Sequence, residues 1–206
     1  MKKFLSMVFS LSLLLTSVFS TGAKVRDVVK SDNLILRNFG LRVTDFDESL
    51  SELLDDMYDT MEKHGCVGLA ASQIGREERV FIVKYDGEIT EYVNPVITIR
   101  KGEQISIERS ISQPGLWGEV VRSAYIKGTA FDENGEKFEF EADGDEARII
   151  CHEYDHMNGV LFTDIAKRIY TTKRIIAKIV VAAVALAILG GLVGYFASPY
   201  IIPLFV

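Results

Sequence analysis

The chain has 206 residues, 48% of them hydrophobic, with 23 Lys and Arg against 29 Asp and Glu for a formal net charge of -6. That length gives room for one core plus appendages, and the acidic balance, with no basic face outside a short cluster near the C-terminus, argues against nucleic-acid binding. Two cysteines, Cys66 and Cys151, impose no disulfide framework. The first element follows Met1-Lys-Lys3: residues 4–23 carry no charge and end in small residues suited to cleavage, so 1–23 is expected to be a secretory signal or membrane anchor. Residues 24–32 are expected to be a linker, and 33–168 the folded domain.

Within the domain, Ser49-x-x-Glu52 has the form of a capping box, and Leu50, Leu53, Leu54, Met57 and Met61 recur behind it at helical spacing as a core stripe. The helix is expected to stop before Gly65. The Gly-rich loop after it includes Gly68, where the missing Cβ lets backbone come close to a ligand. Arg79 to Tyr85 is β-rich and apolar in succession, as expected of a strand buried on both faces. One long strand is expected from Val120 to Phe131, turning at Asn134-Gly135 into Lys137 to Ala142, where Phe138 and Phe140 alternate with Glu139 and Glu141. Asp143-Gly-Asp145 places acids at the start of a further helix, which Gly159 stops. After a basic juxtamembrane segment at 169–178 holding Lys173, Arg174 and Lys178, residues 179–206 are uncharged. The span is expected to cross a membrane, with the basic cluster against anionic headgroups. The basic cluster puts its own side in the cytoplasm, whereas the N-terminal segment would export the domain, so the two ends disagree about orientation.

The chemistry sits in that last domain helix. Residues 152–156 read His-Glu-Tyr-Asp-His; two histidines four apart share one helical face and can grip one metal ion, with Glu153 beside it as proton carrier. A hydrolytic metal site needs a third protein ligand. The extended zinc-protease pattern would put a His at position 162, which is Phe162, and beyond Glu153 the only acids are Asp155 and Asp164. The remaining histidine is His64, so the protease pattern fails at its third ligand.

Three segments in order resemble the peptide deformylases. Gly65-Cys-Val-Gly-Leu-Ala-Ala-Ser-Gln73 is similar to the first box of that family, Glu108-Arg-Ser-Ile-Ser112 to its second, and the HExDH of 152–156 to its third. Asn94-Pro95, Arg122 and 138–143 resemble it too. The resemblance implies an α+β fold with antiparallel or mixed sheets wrapped around the HExDH helix. It implies one divalent ion, Fe2+ or Zn2+, held by His152, His156 and the residue at 110. Glu153 would be the general acid/base, Gln73 and the Ile111 N–H the donors to a developing oxyanion, and Gly68 and Leu69 the lining of a groove for formyl-methionine peptides.

One position departs from the family: its third metal ligand is a Cys, and here it is Ser110. A thiol deprotonates on a metal far more readily than an alcohol and suits Fe2+ or Zn2+ better, so weakened metal binding and low or absent activity are expected. Arg109 replaces a small Gly and adds a cation nearby. The alternative is a non-catalytic module that holds peptide N-termini at a membrane. Deformylation of nascent chains would favour the cytoplasmic or organelle-matrix side. Trp117 and His64 are expected to be structural or surface residues, and Cys151 to pack in the core.

Overall fold

The computed structural model describes residues 24–201, with side chains described through residue 188. The signal or anchor expected at 1–23 lies outside the described residues. Two antiparallel sheets and a central helix make up the domain, in agreement with the α+β expectation. A five-stranded sheet has the order β1-β2-β3-β6-β7, from Gly68–Ala70 (β1), Val80–Tyr85 (β2), Glu88–Lys101 (β3), Tyr125–Phe131 (β6) and Lys137–Asp143 (β7). A three-stranded sheet has the order β4-β5-β8, from Gln104–Glu108, Leu116–Arg122 and Arg168–Thr171. The described residues also form the α-helices α1 (Glu48–His64), α2 (Gly144–Met157), α3 (Phe162–Ile165) and α4 (Thr172–Ile201).

Helix α1 forms where the apolar spacing placed it, but its N-cap is Asp47, whose side chain accepts from the Ser49 N–H. It ends at Gly65 in the left-handed region at φ 59°, a conformation that glycine adopts without strain. The stripe Leu50, Leu53, Leu54, Met57 and Met61 packs with Leu69, Val80 and Ile82 into one core cluster. A second cluster gathers Phe81, Tyr92, Phe140, Ile150 and Met157 under α2. Strand β2 is therefore covered on both faces, Phe81 and Val83 entering one cluster and Val80 and Ile82 the other. Asn94 lies at φ 50° beside a β-bulge of β3, and its amide clamps Val43 by accepting from its N–H and donating to its carbonyl, each at 2.9 Å.

Three expectations are corrected. The single strand expected over 120–131 is two strands, β5 and β6, in different sheets. The chain breaks step at Ser123-Ala124 because Arg122 turns into the core beneath α2 while Tyr125 onward pairs with β3 and β7. The hairpin into β7 forms as expected, with Glu139 and Glu141 outward and both paired to Lys127. Residues 24–31 are no linker: Arg26 pairs with the buried Asp56 at 2.5 Å, and the Val29 and Ser31 N–H groups donate to the carbonyls of Gln73 and Ser112. Likewise Arg168–Thr171, placed in part in a juxtamembrane segment by the sequence reading, is a strand of the small sheet.

One further expectation, for the tail, is neither met nor overturned. Helix α4 runs 30 residues, and Ile179, Val181, Val184 and Leu186 on it are all exposed. Among the described residues no helix is long and apolar enough to cross a membrane. The membrane span expected over 179–206 thus finds no support in them, and residues 202–206 lie outside the described residues.

Candidate active site

Helix α2 packs across β1 and β2 and presents His152, Glu153 and His156 to the space between the two sheets. The two imidazole rings lie 4.9 Å apart, nearly perpendicular at 78°. Behind them is a buried charge network. Glu108, at the end of β4, accepts two hydrogen bonds from the Arg122 guanidinium at 2.7 and 2.8 Å and one from His152 Nδ1 at 2.8 Å, and Arg122 also pairs with Asp155 on α2. Burial alone would raise the Glu108 carboxyl, but the bonds from Arg122 and His152 hold it down to about 2. The negative Glu108 fixes the proton of His152 on Nδ1, which turns Nε2 and its lone pair away from the network.

Ser110 lies at the centre of a second set of contacts. Its hydroxyl is 3.2 Å from His156 Nε2 and accepts from Gln73 Nε2 at 3.1 Å and from the Ser112 N–H at 3.3 Å. The Gln73 carbonyl accepts from the Ala70 N–H at 2.9 Å, which sets the amide with its NH2 toward Ser110. Among the described residues three buried polar atoms around the site have no partner, Glu153 Oε2, His156 Nδ1 and Gln113 Oε1. Burial, assisted by the charge of Glu108, pushes the Glu153 carboxyl up to about 7. Burial and the neighbouring His152 lower His156 well below the ordinary imidazole range. Both shifts favour the neutral forms of groups whose own atoms are taken out of water.

The fit of a divalent ion can be judged from these donors. Two imidazoles without a proton on Nε2 suit one, and an orphaned buried carboxylate oxygen beside them suits a water. The third donor is a neutral hydroxyl already bonded to His156. Among the described residues no group of three His, Cys, Asp or Glu could hold a metal ion, as a Ser at this position dictates. The donor set fits an ion at two positions and weakly at the third.

A cleft of about 630 Å³ opens above these residues, lined by Cys66, Gly68, Gln73, Arg109, Ser110, Ile111, His152 and Glu153 among others. Gly68, on the edge strand β1, lies against the Glu153 side chain; a Cβ there would sit 2.9 Å from its Cγ and Cδ and closer still to Oε1. The sequence reading is corrected at Leu69, whose side chain is fully buried in the α1 cluster and leaves the cleft to Gly68. Trp117, half-buried on β5, and His64, exposed at the end of α1, are structural and surface residues as expected, and both line the cleft. Cys151 is in the core as expected, and the Cys66 thiol, which donates to the Met61 carbonyl at 3.7 Å, is pushed up to about 12 by burial and by Glu153. Phe162 stacks on His152 at 6.2 Å, so the position where a protease pattern would have its third His is a packing contact. The Glu108–Arg122–Asp155 network, unassigned in the sequence reading, joins β4, β5 and α2 across distances that no local spacing encodes.

Comparison with known proteins shows which family the domain belongs to. Residues 25–171 match the family model for polypeptide deformylase. Peptide deformylase 1 of Bacillus subtilis (strain 168) is 44% identical over 149 residues, covering 71% of this chain and 93% of that protein. The crystal structure of a peptide deformylase from Legionella pneumophila superposes with a TM-score of 0.68 at 38% identity, over 75% of this chain and 91% of that one. A Met-Ala-Ser-bound class I type b peptide deformylase from Acinetobacter baumannii gives 0.66 at 30% identity, over 69% and 99%. This chain is a peptide deformylase-like amide hydrolase and belongs to the peptide deformylase family.

Proposed function

We propose that the domain removes the formyl group from the N-terminal formyl-methionine of nascent polypeptides, at a rate limited by the Ser110 donor. His152 Nε2, His156 Nε2 and the Ser110 hydroxyl would hold one divalent ion, Fe2+ or Zn2+; when bound, such an ion acidifies water and polarises a carbonyl. The observation that carries the reading is Glu153: buried, unpartnered at Oε2, and held up at about 7 beside two histidines. A carboxyl near neutrality can take a proton from the attacking water and hand it to the departing amine as the formyl C–N bond breaks and formate leaves. The Gln73 NH2 and the Ile111 N–H are the donors for the oxyanion that forms on the way. Gly68 on β1 and Ile107 on β4 line the cleft from two edge strands, an arrangement that accepts an extended peptide by main-chain pairing.

A specific observation also favours the second reading, a peptide-binding module without turnover. The Ser110 hydroxyl bridges Gln73 and His156 by hydrogen bonds, and a proton given to His156 Nε2 competes with an ion for the same lone pair. Metal content and formyl-Met peptide hydrolysis, measured on the protein and on Ser110→Cys, separate the two. The deformylase reading expects some turnover in the parent and at least a tenfold gain in metal affinity in the variant, about 1.4 kcal/mol. A variant that binds metal fully yet hydrolyses nothing supports the module.

The C-terminal segment is proposed as a membrane tether. Its support is the uncharged sequence of 179–206 and the exposure of the apolar side chains described from Ile176 to Ile188 on α4. The compartment is one that holds formylated nascent chains. Release of the protein from membranes by alkaline carbonate would refute the tether.

A further inference from the structure

Arg109 immediately precedes Ser110 and lines the cleft, with its guanidinium 5.3 Å from the centre of the Trp117 ring. The indole is itself fixed: Trp117 Nε1 donates to Thr172 Oγ1 at 3.2 Å, and Thr172 is tied by its backbone N–H to the Gly115 carbonyl at 2.9 Å. A cation held over an indole face has little freedom left to lose when an anion approaches. Among the described residues Arg109 makes no ion pair. The cleft lining contains one other Arg, Arg148, which is paired with Asp145 at 3.0 Å. Its one acid is Glu153, almost fully buried. The mouth is therefore cationic on a chain whose net charge is -6.

We propose that Arg109, braced on Trp117, makes the cleft select peptides that carry Asp or Glu within the first three residues after the formyl-methionine. The distance scale agrees. Arg109 is one Cα step, about 3.8 Å, from Ser110, and an extended peptide advances about 3.3–3.6 Å per residue, so those positions come within reach of an arginine side chain. The inference rests on the deformylase reading for the placement of the peptide N-terminus at Ser110, but its test is arranged to survive an inactive site. Trp117 is the single tryptophan of the chain, so intrinsic fluorescence reports on the cleft wall alone.

The full-length protein is titrated with the deformylated peptides Met-Ala-Glu-Ser and Met-Ala-Lys-Ser at low salt, following Trp117. The acidic peptide is expected to bind about three- to tenfold more tightly, the range of one partly exposed ion pair against one like-charge contact, and the gap is expected to shrink at high salt. Arg109→Gln is expected to abolish the preference and Arg109→Glu to reverse it. Lys137→Glu, the same change of charge on the exposed end of β7 away from the cleft, is expected to keep it. Equal binding of the two peptides, a preference that persists in Arg109→Glu, or no response to either peptide at millimolar concentration overturns the inference. Hydrolysis of formylated peptides with no charge preference leaves the deformylase reading intact and removes only this one. Charge-selective binding without hydrolysis does the reverse.

Discussion

Replacing Gly68 by Ala tests the close approach between β1 and α2 directly. The added methyl would lie 2.9 Å from Glu153 Cγ and Cδ where ordinary contact begins at 3.4 Å, so the Glu153 side chain must withdraw by at least half an ångström. Gly68 does not use a positive φ, so the backbone accepts Ala and the whole cost is steric. Inserting one methyl into a filled buried site costs about 1–3 kcal/mol, which for a domain of this size lowers the melting temperature by about 2–12 °C. A displaced proton carrier loses up to about 100-fold in rate for each ångström. The thermodynamic part needs no metal and no turnover. In a Glu153→Ala background the colliding atoms are gone, and Gly68→Ala there is expected to be neutral or to stabilise by about 0.4–1 kcal/mol through loss of unfolded-state freedom. Thermal unfolding of the four proteins of this cycle gives the coupling, expected to be at least about 1 kcal/mol. Equal losses in both backgrounds, or no loss in either, would show that the two side chains do not meet.

Glu108→Gln keeps the shape of the carboxylate but removes its charge, leaving the buried Arg122 without its principal counter-ion and His152 without a fixed tautomer. Such a change is expected to destabilise the fold by about 3 kcal/mol or more, and chemical denaturation measures it. The same carboxylate sets the acid behaviour of the metal-free protein. Its folded pKa, near 2, lies below the unfolded value, so the stability it confers is complete above about pH 4.5 and lost as pH falls towards 2, up to about 3 kcal/mol in all. Glu153 acts in the opposite sense: with its folded pKa raised to about 7, stability declines as pH rises from about 4.5 through 7. Urea midpoints at intervals between pH 2 and pH 8 should therefore show a maximum in the weakly acidic range, and in Glu108→Gln the acid-side fall is expected to flatten.

What could be read from the sequence was local. Helix α2 announced itself by two histidines four apart, the β6–β7 hairpin by strict alternation around Asn134-Gly135, and β2 by its unbroken apolar run. What escaped depends on partners distant in sequence. A break at Ser123-Ala124 has no turn signature, because the surrounding apolar pattern continues on both sides and only the destination sheet changes. Residues 24–31 contain too little apolar side chain to mark an element, yet their backbone bonds to Gln73 and Ser112 brace two site residues. Leu69 was assigned to the groove by resemblance, whereas its burial follows from facing α1 on a three-residue strand. The network of Glu108, Arg122 and Asp155 brings together charges whose separate positions gave no reason to expect burial. Trp117 had no periodic neighbours from which a place in the cleft could be deduced.

Thr172 is both the first residue of α4 and a fixed point of the cleft, since it bonds Gly115 through its backbone and side chain and receives the Trp117 indole N–H. The long helix therefore departs from the rim of the cleft, held there by three hydrogen bonds centred on Thr172 and by β8, which pairs with β5 immediately before it. A load on that helix would bear on the cleft wall and on the small sheet together.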